Sequence, residues 1–229
     1  MRERSFAGSR FGKTLYFTDR EIDRMCIEAL QKSGCMPSVP EAIDIELFVE
    51  KHFDAQLDMA TDLGEEVLGW TFFGKKGEIL LVGVSPNLAG DDSDVGRRRC
   101  RATVAHEAGH CLMHPILFIE EQSKMIFENL NFQEKRILCR KSDFTGKYDG
   151  RWWEVQANKA IGALLLPAVL VRKSVESFLE PAGGMGLMDL PERNRPLAVE
   201  HVSKTFDVNK LPAQIKVDAL FPRRENELL

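Results

Sequence analysis

Three of the five histidines in the chain fall within nine consecutive residues, at positions 106, 110 and 114. The first two frame the sequence His106-Glu-Ala-Gly-His110, which has the pattern H-E-x-x-H. On an α-helix, residues four apart lie one turn apart on one face, so both imidazoles can point at a single position. Zinc accepts imidazole nitrogens at about 2.0–2.1 Å in a tetrahedral arrangement. Glu107, about 100° around the helix, can reach a zinc-bound water as a general base. The spacing therefore predicts a catalytic zinc site.

His114 continues the four-residue spacing, but a straight helix separates it from His106 by about 12 Å along the axis. That distance is too long for both side chains to bind one zinc ion with short bonds. There is no glycine between His110 and His114 to turn the chain back, as the longer zincin motif requires. We therefore expect His114 to cap the helix or to hydrogen-bond a ligand rather than to bind zinc.

The third ligand must come from another element, and the segment from Trp152 to Pro167 is the best candidate. If it is helical, Glu154 can reach the metal and Asn158, one turn later, can hydrogen-bond a ligand. The same position also suits a surface glutamate that stabilises a helix N-terminus through the helix dipole. Small residues of this segment are expected to face Ala108 and Gly109 and to let the two helices approach closely: Ala157, Ala160, Gly162 and Ala163.

Two stretches of the chain, residues 97–114 and 153–167, together resemble the ImmA/IrrE family of zinc metallopeptidases. In that family an arginine-rich lead precedes H-E-x-G-H-x-x-x-H, and a later helix reads E-x-x-A-N/D-x-F-A-x-x-L-L-M-P. This chain departs from the second pattern only by apolar or small-residue changes. The resemblance covers about residues 40–220. It implies a zincin-like fold with Zn²⁺ ligands His106, His110 and Glu154, and with Glu107 as the catalytic residue.

The resemblance also implies a function, because family members act in the cytosol as peptidases on helix-turn-helix transcriptional repressors. We therefore expect a zinc-dependent endopeptidase that hydrolyses a peptide bond in a protein substrate. The alternative is a noncatalytic zinc-binding partner module of a repressor or toxin–antitoxin system. Glu107 favours the peptidase, because a purely structural zinc site has no use for a base beside the metal.

The segments around these motifs predict an α+β fold, with helices packed on a small antiparallel sheet. The capping box Thr18-Asp-Arg-Glu21 predicts a helix over residues 19–33, and Asp44 is expected to cap a second helix. Residues 68–73 and 79–84 read as an antiparallel hairpin. An extended peptide substrate could lie along the second of these strands.

The remaining segments predict a two-part organisation. Residues 86–96 read as a loop, and helices are expected over residues 97–113 and 152–166. Residues 1–180 are predicted to form the metallopeptidase domain, with the H-E-x-x-H core at about residues 40–170. Residues 181–229 are predicted to form a linker and a helix-turn-helix-like tail, with helices over residues 197–206 and 210–220.

Charge and cysteine content exclude several classes of protein. The net charge of −4 has the wrong sign for a protein that coats nucleic acid, so direct nucleic-acid binding is not expected. Five scattered cysteines without a C-x-x-C pair indicate neither a disulfide framework nor a thiolate zinc site. The apolar stretches fall short of the roughly 20 residues that cross a bilayer. With no secretory signal, the expected location is the cytoplasm.

A donor that stabilises the transition-state oxyanion is expected, and three alternatives stay open: Tyr148, His201 and the arginine-rich segment Arg97–Arg101. Those four arginines stand beside acidic residues in the preceding loop. We expect a local ion-pair network there rather than contacts with phosphates, with the partners Asp91, Asp92 and Asp94.

Overall fold

The computed structural model describes residues 1–5, 11, 13–119, 136–144, 150–182 and 187–223. This part of the chain is a mixture of helices and small sheets, as the predicted α+β class requires. The helices are α1 (Asp19–Lys32), α2 (Ile45–Phe53), α3 (Pro86–Ala89), α4 (Asp94–Met113), α5 (Trp152–Leu165), α6 (Ala168–Ser174), α7 (Arg195–Thr205) and α8 (Lys210–Leu220). The strands are β1 (Arg2–Ser5), β2 (Lys13–Tyr16), β3 (Leu57–Asp58), β4 (Val67–Phe73), β5 (Ile79–Val84), β6 (Arg136–Arg140), β7 (Glu180–Pro181) and β8 (Met188–Asp189).

The sheet beside α4 has the strand order β3-β5-β4-β6. The pair β4–β5 is the predicted hairpin, and β6 adds to β4 antiparallel. Strand β3 pairs with β5 at Val82 and Gly83, so these two residues of the strand along which a substrate peptide is expected already have a partner on each side. Among the described strands of this sheet, β6 occupies the outer position beside β4.

Side-chain caps fix where the helices begin. Thr18 and Glu21 form the predicted capping box of α1, in which the Glu21 carboxylate accepts from the Thr18 backbone N–H at 2.8 Å. Asp44 accepts from the Leu47 backbone N–H at 3.0 Å and begins α2. Helix α4 begins three residues earlier than predicted, because the Ser93 hydroxyl accepts from the Gly96 backbone N–H. Part of the predicted loop before it is helical, as α3.

Helix α4 runs through the centre of the fold, with α5 on one side and β4 and β5 on the other. The apolar positions Val104, Ala108, Cys111 and Leu112 predict an amphipathic helix with its histidines away from the apolar face. Instead, the helix is buried on all sides from Thr103 to Cys111. The histidines are therefore core residues, and this burial removes them from bulk water.

The two tail helices, α7 and α8, bury Val202, Phe206 and Val217 in the same apolar core as the helices around α4. Asp207, between α7 and α8, has a φ of 52° and forms ion pairs with Arg97, Arg98 and Arg101 of α4. The prediction that the arginine-rich segment pairs with the acidic residues before it is therefore wrong for most of these arginines, which pair with Asp207 instead. From that loop only the Asp94 ion pair, with Arg97, is formed among the described residues.

No single helix in the described ranges is both long and apolar enough to cross a membrane. Helices α5 and α6 meet the length and composition test only when taken together, across a bend of 45°.

Candidate metal centre

A close approach of α4 and α5 brings the candidate ligands together. A Cβ atom on Gly109 of α4 would lie only 2.7 Å from the Cβ of Ala160 on α5, so glycine is what allows the contact. Ala157 also lines this contact. Gly162 does not, because a Cβ atom there would meet nothing within 4 Å. Ala157 and Ala160 therefore form the predicted small-residue contact with Gly109, whereas Gly162 does not take part.

His106, His110 and Glu154 converge on one point. The Nε2 atoms of His106 and His110 are 3.0 Å apart, and Glu154 Oε2 lies 3.0 Å and 3.4 Å from them respectively. The side chains of both histidines are fully buried and that of Glu154 is 6 % exposed. Ligands on a tetrahedral zinc ion are about 3.3 Å apart, which follows from bonds of about 2.05 Å. The triangle therefore has the size that a zinc ion requires.

Asn158 determines which nitrogen His106 presents to this triangle. The Asn158 side-chain N–H donates to the backbone carbonyl of Asp143 at 3.0 Å, so the amide oxygen faces His106 Nδ1, also at 3.0 Å. An oxygen can only accept there, which puts the ring proton on Nδ1. The lone pair on Nε2 of His106 consequently points at Glu154 and His110.

A longer chain of hydrogen bonds determines which nitrogen His110 presents to the triangle. Gln156 donates to the backbone carbonyl of Leu15 at 2.8 Å, and its amide oxygen accepts from His114 Nε2 at 3.1 Å. His114 Nδ1 is then the acceptor for His110 Nδ1–H, at 2.9 Å. His110 therefore also presents a lone pair on Nε2. His114 contacts a candidate ligand and lies at the C-terminal end of α4.

Two lone pairs and a carboxylate oxygen thus face one another at hydrogen-bond distance, and a cation between them resolves the repulsion. With no metal bound, a proton partly fills this role. Burial alone would lower the pKa of His106, but contacts with Cys139, Glu154 and Glu107 raise it well above its ordinary value. Burial would raise the pKa of Glu154, but His110 and His106 lower it far below its usual range. The residues present therefore fit a divalent metal ion.

Glu107 lies next to the triangle and is fully buried. Its Oε2 accepts from the Thr71 hydroxyl at 2.7 Å, while Oε1 has no hydrogen-bond partner among the described residues. Burial raises the pKa of Glu107 to about 8. A Cβ atom on Gly69 of β4 would lie 2.7 Å from Oε1, so this glycine makes room for the carboxylate. The sheet therefore holds one carboxylate oxygen and leaves the other available.

Four contributors to this site were not found from the sequence: Gly69, Thr71, Cys139 and Gln156. Gln156 acts through Leu15, which is 141 residues away, and no local pattern signals such a partner. Thr71 and Gly69 belong to a strand whose pairing was predicted, but nothing in the alternation shows which residue meets Glu107. Cys139 lies on β6, a five-residue strand that the sequence analysis did not find.

None of the three predicted candidates for an oxyanion donor is placed beside the triangle in the described part of the chain. Tyr148 lies outside the described residues. His201 is on the exposed side of α7, where its ring packs against Phe178. The Arg97 and Arg98 side chains form ion pairs with Asp207 rather than facing the triangle as oxyanion donors.

Comparison of the chain with the models of protein families gives no match, and comparison with curated proteins gives none either. What the described residues provide is a buried group that could hold a metal ion, made of His106, His110 and Glu154.

Proposed function

We propose that this protein is a zinc-dependent endopeptidase of the zincin type, which hydrolyses a peptide bond in a protein substrate. The observation that carries the proposal is the convergence of His106 Nε2, His110 Nε2 and Glu154 Oε2 within 3.4 Å of one another, with the free Oε1 of Glu107 beside them. Two imidazoles and one carboxylate form the donor set of thermolysin-like zinc sites, which keep one coordination position open.

The bound zinc ion would supply a Lewis acid that polarises the scissile carbonyl and acidifies a water molecule. Glu107 takes the proton from the attacking water and later delivers it to the nitrogen of the leaving amine. Thr71 keeps the carboxylate in position by its hydrogen bond to Oε2. Burial favours the protonated form of this carboxyl, which helps it to hold the proton between the two transfers.

The outer strand β6 supports a route for the substrate, in place of the β5 route expected from the sequence. An extended peptide that adds to β6 would form main-chain hydrogen bonds with it and pass the side of the site at which Cys139 contacts His106. The resemblance to ImmA/IrrE peptidases suggests the class of substrate, a cytosolic helix-turn-helix repressor.

One observation favours the alternative, a noncatalytic zinc-binding partner module. All three candidate ligands are buried, with residue exposures of 0 % for both histidines and 4 % for Glu154, as in closed structural sites. The unpartnered oxygen of Glu107 argues for catalysis, because a closed structural site leaves it without a purpose. The two functions are separated by substituting Glu107.

The test uses the full chain, loaded with zinc and incubated with candidate repressors encoded in its own genomic neighbourhood. New peptide termini are identified by mass spectrometry, and bound zinc is measured by elemental analysis. We expect Glu107→Gln to keep its zinc and to lose cleavage by about 10²–10⁴-fold, while His106→Ala loses both. A fully active Glu107→Gln variant would overturn the peptidase mechanism. A zinc-loaded wild type that cleaves none of the repressors would favour the partner module.

A further inference from the structure

An open cleft lies between α1, α5 and α8, away from the three candidate metal ligands, none of which lines it. Its volume is about 860 Å³. Sites for small molecules typically have volumes of about 300–1,000 Å³. A Cβ atom on Gly162, which lines the α5 side, would meet nothing within 4 Å, so the space beside this helix is open. The cleft therefore has the size of a ligand site.

The walls of the cleft are largely apolar. Large apolar side chains stay exposed on two facing helices, with exposures of 39 % for Val155 on α5 and 60 % for Ile215 on α8. Exposed apolar surface that lines a concavity marks a binding site more often than a plain surface. The apolar lining includes Ile22, Val155, Ile161, Pro212, Ile215 and Ala219.

Lys216 of α8 places one cation inside this apolar cleft. Its side chain is only 14 % exposed, and its Nζ lies 3.8 Å from the nearest carboxylate oxygen, that of Asp23. This distance is too long for a hydrogen bond, so the three N–H groups of the ammonium have no acceptor among the described residues. The neighbouring Cys26 thiol is uncharged, because burial raises its pKa to about 12.

Asp23 does not neutralise this cation, because its side chain is 49 % exposed and water solvates its charge. The Lys216 charge lies deeper, where water screens it less. The cleft therefore has a positive charge in its interior and a negative charge at its edge.

The other charged groups that line the cleft already have partners. Asp19 forms an ion pair with Lys159 at 2.6 Å, and Asp143 forms one with Arg151. Neither aspartate therefore leaves an unpaired negative charge in the cleft. The charge that still lacks a close partner is the ammonium of Lys216.

We propose that this cleft binds a medium-chain fatty acid, with the carboxylate on Lys216 and the hydrocarbon chain along the apolar walls. The α5 wall from Val155 to Ala163 is about 12 Å long at 1.5 Å per residue, which leaves room for an extended chain. A hydrocarbon chain suits these walls better than a peptide, because the N–H and C=O groups of a buried peptide need partners. This site is additional to the candidate metal centre and does not depend on the proposed peptidase activity.

Calorimetric titration of the metal-free full chain tests the proposal, since without a metal a carboxylate cannot bind at the triangle. Octanoate is compared with the neutral octan-1-ol and the cationic octylammonium, all below the concentrations at which they form micelles. We expect octanoate to bind at least about tenfold more tightly than either, as a hydrogen-bonded ion pair with Lys216 requires.

Two variants place the bound molecule in the cleft. Lys216→Met should lose at least about tenfold in affinity for octanoate and bind octan-1-ol as before. Lys210→Met is the matched control, because Lys210 lies on the same helix, is 73 % exposed and does not line the cleft, and it should bind octanoate as the wild type does. Gly162→Leu, which fills the open space beside α5, should abolish binding of both molecules.

Several results would overturn the proposal and leave the metal centre untouched. These are no binding of octanoate by the wild type, equal or tighter binding of octylammonium, which would mean that the aspartates dominate the cleft, and undiminished octanoate binding in Lys216→Met or Gly162→Leu. Tighter binding of the blocked dipeptide acetyl-leucyl-leucine than of octanoate would also overturn it, because the occupant would then be a peptide C-terminus.

Discussion

At the scale of single residues, the metal centre depends on side-chain amides that never touch the metal position. Asn158 and Gln156 each have an oxygen turned towards a histidine, because their N–H groups donate to backbone carbonyls of Asp143 and Leu15. Such outer contacts fix the tautomer and the ring orientation of a ligand. The orientation of both rings and the proton on each Nδ1 are therefore set by the fold itself.

Replacing Gln156 by Leu should weaken zinc binding by about 10–100-fold, because His114 loses its acceptor and no longer holds His110 with Nε2 unprotonated. Competition with a chromophoric chelator measures the affinity. Gln56→Leu is the matched control, since Gln56 is exposed, and it should bind zinc as the wild type does. Equal affinities in the two variants would contradict the relay.

The raised pKa of Glu107 should make the stability of the metal-free protein depend on pH. The pKa of Glu107 rises from 4.5 to about 8 in the fold, so its contribution to stability is complete below pH 4.5 and is lost as the pH rises through 8. The raised pKa of His106 likewise makes its contribution to stability larger at low pH than at high pH. Between pH 5.5 and pH 8.5 the metal-free wild type should therefore lose stability relative to the metal-free Glu107→Gln variant, which is measured as the difference between their melting temperatures at each pH.

Zinc binds deprotonated ligands, so the increase in melting temperature that zinc produces should grow over the same pH range. Calorimetry with and without zinc at several pH values gives both trends. A zinc effect that shrinks as the pH rises would show that the ligands are not these protonatable groups.

The residues of the site were predictable only in part. The spacing of His106, Glu107 and His110 encodes their shared turn, and the family pattern added Glu154. Thr71 and Gln156 could not be found, because their roles depend on which strand faces α4 and on where the N-terminal segment lies. Burial was also misjudged, since a sequence of alternating polar and apolar residues does not reveal that both sides of α4 are covered.

At the scale of elements, the local signals were sufficient where a cap or a turn encodes the boundary. The capping box of α1, the Asp44 cap of α2 and the β4–β5 hairpin agree with their predicted positions. The signals failed where pairing depends on distant chain. Strand β6 is recognisable only by its partner β4, and α3 occupies a segment whose aspartates and glycines read as a loop.

The contact between α4 and α5 should be sensitive to a single methyl group. Gly109→Ala would set a Cβ atom 2.7 Å from the Cβ of Ala160, which forces the helices apart and moves Glu154 away from the histidines. We expect a loss of about 1–3 kcal/mol in the free energy of unfolding and weaker zinc binding. Gly162→Ala, on the open side of α5, should instead stabilise the fold by up to about 1 kcal/mol. Denaturant unfolding of both variants measures the difference, and equal effects would contradict the packing argument.

At the scale of the whole molecule, one carboxylate between the two tail helices gathers three arginines of α4. Asp207 forms ion pairs with Arg97, Arg98 and Arg101, and its side chain is 15 % exposed. Asp207→Asn keeps a residue that tolerates a φ of 52° while it removes the charge, and should cost about 2 kcal/mol in the free energy of unfolding. Asp54→Asn is the matched control, because Asp54 has the same φ and is exposed. Urea unfolding at low and high salt measures both, and a loss that persists unchanged at high salt would contradict an electrostatic cause.

The hydrogen bond from Gln156 to Leu15 links the first strands of the chain to the candidate metal centre. A carbonyl group at the start of the sequence is three hydrogen bonds away from a ligand nitrogen, through Gln156 and His114. Anything that pulls β2 out of place, such as proteolytic trimming, a bulky fusion or a partner that captures this strand, would free the Gln156 amide to rotate. The candidate site would then lose affinity for a metal ion without any change at His106, His110 or Glu154.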